Sequence, residues 1–215
     1  MRFVDLLDIL PPGETMFDSA LLLAGEPHPA EVRRRLSRWT AAGKLLQLRR
    51  GLYVVAVPYA DAHPHPFVIA NRLQRGSYVS AQAALAFRGT IPEYVPVVTS
   101  VSTGRPRTRR TPLGVYQFRH IAPGLLWGAE LLEVAPGARV LVATAEKALL
   151  DLVHLTPRAD DPRYLAELRL DTTTLDLERL MSFAERTTRP KLMRAAEAVA
   201  GIAGDRGVEE RFEPL

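Results

Sequence analysis

The stretch AEVRRRLSRWTAAGKLLQLRRGLYVV, residues 30–55, decides the fold of the first part of the chain. His28-Pro29 precedes it, with proline at the tolerated first helical position. Residues 28–42 read as a helix, and Gly43 supplies a left-handed exit. At 100° per residue Val32, Leu36 and Trp39 share one face. Arg34 and Arg38 fall opposite, with Ser37 and Glu31 beside them, and Arg33 and Arg35 flank the boundary. The helix therefore has an apolar back and a basic front. Residues 45–48 and 52–57 are runs of β-formers, and Arg50-Gly51 stands at the tip of a hairpin that needs a positive φ.

Working outward, Phe3, Leu6, Leu7 and Leu10 recur at helical spacing, which predicts a short helix over residues 2–10 that Pro11-Pro12-Gly13 stops. Thr15 or Asp18 can cap a second helix with Phe17, Ala20 and Leu21 on its inner face, broken at Gly25-Glu26-Pro27. Three short helices followed by a β-hairpin is the element order of a winged helix-turn-helix. In that arrangement the third helix enters the DNA major groove and the wing lies on the neighbouring backbone. His28, Arg33, Arg34, Ser37 and Arg38 are then the candidate contacts of the helix, and Arg49 and Arg50 those of the wing. Arginine suits both tasks, because its planar fork donates two parallel hydrogen bonds to guanine or to phosphate. The competing reading is a basic, solvated helix in a small α/β domain.

Bulk composition sets the frame. A chain of 215 residues with 47% hydrophobic content can build a substantial core in one or two domains. It has no cysteine, which removes disulfides and thiolate chemistry. No run approaches the roughly 20 apolar residues that span a bilayer. Asp5 and Asp8 interrupt the apolar start, so no signal peptide is expected and the expected location is the cytoplasm. The net charge of +4 is uneven: residues 1–120 carry 16 Lys+Arg against 8 Asp+Glu, and residues 121–215 carry 12 against 16. The basic half could meet a polyanion. A plain preference for arginine over lysine would give the same count.

The Pro/His-rich stretch at residues 58–66 marks the expected boundary between a winged helix-turn-helix domain, residues 1–60, and a mixed α/β domain, residues 61–215, giving an α+β chain overall. His63 and His65 read as linker residues, and no metal or cofactor is expected. Residues 67–75 and 80–87 read as helices, the latter capped by Ser80. YVPVVTSVST, GVYQFRHI, ELLEV and ARVLVA read as strands, and AEKALLDLVHL as a helix, with further helices near 175–187 and 190–203 and a polar, frayed tail from 204. Between the first two strands lies GRPRTRRTPLG. Its Arg105, Arg107, Arg109 and Arg110 form either a charged hairpin loop or a second polyanion contact. RNA would require exposed aromatics there, and Tyr116 and Phe118 alternate in a way that suits the core equally well.

Four blocks in order resemble the AbiEi antitoxins and AbiEi-like transcriptional regulators: RRRLSRWTAAGKLLQLRRGLYVV, IANRLQRGSYVSAQAALAFRGTIPEYVPVVTSVST, LGVYQFRHI and VATAEKALLDLVHL. The resemblance spans roughly residues 15–155. It implies an operator-binding autorepressor, reading inverted repeats in double-stranded DNA. It also implies a C-terminal antitoxin domain that opposes a nucleotidyltransferase-fold toxin of an abortive-infection operon, without need of a stable complex. Some members of the family are solitary regulators with no adjacent toxin. The alternative reading of this chain is a stand-alone repressor whose second domain senses a ligand or a protein partner. Within the EKALLD block, Glu146, Lys147 and Asp151 are expected to serve structure rather than catalysis.

Enzyme motifs are absent. No lysine has glutamate two positions before it, since Ala42, Ala145 and Arg189 stand there, which removes the nuclease-type metal site. Gly76-Ser77 is followed by no aspartate until Asp151, and Gly43-Lys44 has Arg38 where a phosphate loop needs glycine. The chain is expected not to be an enzyme.

Overall fold

The computed structural model describes residues 1–24 and 27–209. In chain order it contains α1 (Phe3–Ile9), β1 (Met16–Asp18), α2 (Ala20–Leu23), α3 (Pro29–Ala41), β2 (Leu45–Arg49), β3 (Leu52–Val55), α4 (Pro66–Leu73), β4 (Tyr78–Val79), α5 (Ala81–Phe87), β5 (Val97–Ser102), β6 (Arg107–Thr111), β7 (Gly114–His120), β8 (Ala129–Ala135), β9 (Ala138–Ala143), α6 (Ala145–Leu155), α7 (Pro162–Glu167), α8 (Leu177–Thr187) and α9 (Pro190–Glu209). The fold is α+β. α9 runs on through residues 204–209, where a frayed tail is expected, and residues 210–215 lie outside the described residues. No described helix is long and apolar enough to cross a membrane.

The first unit is built on a three-stranded antiparallel sheet of order β1-β3-β2. Its core holds Phe3, Leu6, Phe17, Leu22, Val32, Leu36, Leu45, Tyr53 and Val55. Val32 and Leu36 are buried on α3 as the periodicity predicts, and Gly43 and Gly51 take φ of +69° and +82° at the helix exit and hairpin tip. The second helix differs from expectation. Residues 16–18 are a strand paired with β3, and only Ala20–Leu23 is helical. Phe17 is buried through its stacking on Tyr53, and the inward leucine is Leu22 while Leu21 is exposed. Three residues are too few for alternation to signal a strand, so long-range pairing decides this segment.

The second unit is a six-stranded mixed sheet of order β6-β7-β5-β4-β9-β8. β5 runs parallel to β7, so the GRPRTRRTPLG stretch cannot be a simple hairpin loop. Residues 107–111 instead form an edge strand antiparallel to β7. The two-residue β4 joins β5 to β9 at the middle of the sheet. α4, α5 and α6 pack against the sheet, and α7 to α9 close over α6. Met16, Leu48, Leu52 and Val54 of the first sheet belong to the same apolar cluster as Phe67, Tyr116, Phe118 and Leu149 of the second unit. Ion pairs from Arg72 to Glu14 and Asp18, both 3.7 Å, cross the same junction.

Candidate nucleic-acid interface

The apolar back of α3 sits on the first core, which leaves its front to solvent. Arg33, Arg34, Ser37 and Arg38 are exposed, and their side chains have no hydrogen-bond or ion-pair partner among the described residues. His28 occupies the N-cap position, with Pro29 at the first helical position. Arg35 differs from its neighbours because it is half-buried and its guanidinium is bound by Glu31 one turn earlier. That pair also removes the difficulty of an acid beside a polyanion, since the charge of Glu31 is spent locally.

At the hairpin the two wing arginines separate. Arg50 is exposed at the tip with no side-chain partner among the described residues. Arg49 is half-buried; its guanidinium reaches Asp18 at 3.4 Å and donates to the Arg50 carbonyl at 3.1 Å. Arg72 and Arg75 approach the same Asp18 carboxylate at 3.7 and 3.9 Å. Lys44 is also occupied, with its ammonium 5.1 Å from the centre of the Phe3 ring and 5.5 Å from that of Tyr59. Among the described residues the free positive charge of the first unit is therefore Arg33, Arg34, Arg38 and Arg50.

Arg105, Arg107 and Arg110 are exposed and Arg109 is half-buried, all without an acidic partner among the described residues. They do not form one patch. Arg107 pairs across the ladder with Phe118 and Arg109 with Tyr116, whereas Arg110 pairs with Val115. Directly opposed residues project from the same face, so Arg107 and Arg109 share a face that Arg110 does not. Tyr116 and Phe118 are each 1% exposed, which leaves RNA no stacking platform there. His65 of the His-x-His pair caps α4 by accepting from the Phe67 amide at 3.2 Å, and its ring lies edge-on to Phe67 and Phe87. Burial pushes its pKa down. Among the described residues no three His, Asp or Glu are placed to hold a metal ion.

A buried polar cluster went unread in the sequence as a spatial unit. Asp151 accepts from the Ser80 hydroxyl at 2.7 Å and the Tyr78 hydroxyl at 3.1 Å, and it is ion-paired with Lys147. Ser80 therefore holds the N-cap position of α5 without capping it, because its hydroxyl is given to Asp151. The Lys147 ammonium lies 5.1 Å from the centre of the Trp127 ring and 5.6 Å from that of Tyr78. Gly128 must be glycine for a second reason besides its φ of +75°: a Cβ there would stand 2.8 Å from the Lys147 stem. Burial pushes Asp151 above the usual carboxylate range and Lys147 below the usual amine range, and each partner holds the other charged. Glu146, also buried, accepts from the Asp176 amide at 2.9 Å and from Arg179 at 3.1 Å. Lys147 and Asp151 are each 2% exposed and held by neighbours of the fold, while the second carboxylate oxygen of Glu146, Oε2, is buried without a hydrogen-bond partner among the described residues. This supports a structural role for the EKALLD block.

The chain matches no protein-family model and none of the curated proteins. Among solved structures it is similar to the RV2827C protein from Mycobacterium tuberculosis, with a TM-score of 0.52 and 19% identity, over 87% of this chain and 72% of that one. At that identity the likeness is one of fold: an α+β chain whose architecture extends across both units described above.

Proposed function

We propose that residues 1–60 form a winged helix-turn-helix and that the chain is a DNA-binding autorepressor. On this reading α3 enters the major groove and the β2–β3 hairpin is the wing on the adjacent backbone. The observation that carries it is the unpartnered set Arg33, Arg34, Arg38 and Arg50. These four cations project from the solvent face of α3 and from the hairpin tip, while Arg35 and Arg49 beside them are neutralised. The element order α1-β1-α2-α3-β2-β3 with sheet order β1-β3-β2 supports the same reading, since the hairpin is braced by β1 rather than left as an isolated ribbon. The further role, an antitoxin opposing a nucleotidyltransferase-fold toxin through residues 61–215, rests on the resemblance of the four sequence blocks. The proposed activities are binding rather than catalysis.

The test is fluorescence anisotropy with a labelled duplex from upstream of the gene, compared with a shuffled duplex, at several salt concentrations. With Arg34 reading a base, phosphate contacts by Arg33, Arg38 and Arg50 at about −0.9 each contribute roughly −2.7 to the slope of log K against log salt. Arg34→Ala should cost on the order of 1–3 kcal/mol and relax sequence preference, and Arg50→Ala should weaken all sequences alike and flatten the slope by about one unit. A wild-type slope near zero removes the electrostatic basis of the proposal. Equal, sequence-blind losses from both variants remove base reading by α3.

A second reading, a stand-alone regulator that senses a ligand, is favoured by an apolar groove of about 490 Å³ in the second unit, lined by His65, Phe67, Phe87, Tyr94 and Tyr116. Release of the duplex by an aromatic small molecule, abolished by filling the groove with Ala83→Leu, would select it over the antitoxin role.

A further inference from the structure

We infer that the edge strand β6 continues the wing's phosphate track onto the second unit, through Arg107 and Arg109 and not through Arg110. The inference rests on the winged-helix reading of the hairpin.

Two observations place β6 beside the wing. β2 is one of the two outer strands of the first sheet, and it packs directly against β6. Leu48 of β2 lies in the same apolar cluster as Tyr116 and Phe118. The Tyr116/Phe118 side is the one covered by α4, whose Phe67 lines a groove with Val98 and Tyr116 and whose C-cap residue Gln74 donates to Ser102 of β5. Arg72 of α4 pairs with Glu14 and Asp18 of the first unit, so the first unit lies against that side, which the ladder register makes the side of Arg107 and Arg109. Arg110 belongs to the opposite face, where it lines a shallow groove with Gln82, Thr99, Thr108 and Gln117.

The charge pattern fits a polyanion. The run from Tyr94 to Ala129 contains no Asp or Glu. The two arginines stand two residues apart on a strand, about 7 Å at roughly 3.4 Å per residue, a spacing that suits successive phosphates of one strand. An edge strand with arginines also resists pairing with a second chain, which is the ordinary task of edge charges. That task, however, is met as well by either face of the strand. It gives Arg107 and Arg109 no advantage over Arg110, so comparing them separates the two roles.

The experiment uses the full chain and the upstream duplex. Arg107→Gln/Arg109→Gln is compared with Arg110→Gln and Arg50→Ala, with circular dichroism confirming that each variant is folded. Loss of two phosphate contacts flattens the salt slope by about 1.8, so wild type should lose about 12-fold more affinity than the double variant between 50 and 200 mM salt. Arg110→Gln should leave the slope within half a unit of wild type. Removing base pairs from the wing-side end of the duplex should weaken wild type and leave the double variant little changed. A double variant with the wild-type slope, beside an Arg50→Ala variant with a flattened one, overturns the inference and leaves the wing reading standing. Equal flattening by Arg110→Gln would mean a diffuse positive field rather than a track, and overturns it too. A wild-type slope near zero overturns both readings together.

Discussion

Replacing Lys147 with methionine tests the buried cluster on which the second unit is assembled. The change keeps the volume of the stem against Gly128 and Trp127 and deletes one charge. Lys147 and Asp151 are each 2% exposed, so the remaining carboxylate cannot turn to water. Removing one partner of such a pair costs about 3–5 kcal/mol. Ser80 and Tyr78 still donate to Asp151, which places the expected loss near the lower end, about 3 kcal/mol. With a urea dependence of about 2 kcal/mol per molar, the unfolding midpoint should fall by about 1.5 M at pH 7.5. The deficit should also depend on pH. Burial raises Asp151 above its unfolded value, and loss of Lys147 raises it further. A raised carboxylate favours the folded state below its unfolded pKa of about 3.9, and that contribution is lost as pH rises through the folded value. Measured at pH 5, the gap between variant and wild type should therefore narrow. Adding Asp151→Asn to the methionine variant removes the stranded charge and keeps an acceptor for both hydroxyls, so it should recover more than half of the loss. Trp127, whose ring faces the Lys147 ammonium, provides the local fluorescence signal. A single variant that loses less than about 1 kcal/mol, or a double variant less stable than the single one, would refute the picture of a closed, mutually satisfied cluster.

Other expectations concern the junction and the interface. Residues 1–60 expressed alone should be poorly soluble or self-associate, because the cut uncovers Met16, Leu48, Leu52 and Val54; a monodisperse monomer by light scattering would contradict the shared core. Asp18→Asn releases Arg49 from its carboxylate, so duplex affinity should rise a few-fold and the salt slope should steepen by up to about one unit; unchanged anisotropy titrations would mean that Arg49 has no access to phosphate. Burial lowers the pKa of both His65 and His154 in the folded state, so the unfolded chain binds more protons just below pH 6.5 and stability should fall as pH drops from 7 to 5. His65→Asn keeps a capping acceptor and should weaken that pH dependence in urea titrations; an unaltered dependence would exclude His65 as a source.

What was legible in the sequence was what local periodicity controls. Val32 and Leu36 on one side of a helix and four arginines around the other need no long-range information, and Gly43 and Gly51 mark their turns because the backbone there takes a positive φ. Three features stayed hidden, two because their partners are distant in sequence and one because a run of arginines and threonines does not show the alternation of a strand. β1 is a strand because β3 lies beside it. β6 is a strand because β7 offers its edge, so the Arg105–Arg110 segment, read as one loop, is divided by strand alternation between two faces. Ser80 looks like a cap from sequence, yet its hydroxyl is drawn to an aspartate 71 positions away.

The same contrast bears on how far the family resemblance reaches. Two of its blocks, through their SYVS and EKALLD segments, meet in space as Tyr78, Ser80, Lys147 and Asp151. These residues constrain one another: altering any one strands a buried donor, acceptor or charge in a site closed to water. They carry information about how the second unit is held together. Arg33, Arg34 and Arg38 of α3, Arg50 of the hairpin and Arg107 of β6 are under no such mutual constraint, since each is exposed with no side-chain partner among the described residues. Their identity answers to whatever the surface binds. The resemblance therefore speaks first for the interior architecture, and the case for DNA rests on a separate line: the placement of Arg33, Arg34, Arg38 and Arg50, left free beside neighbours that are paired.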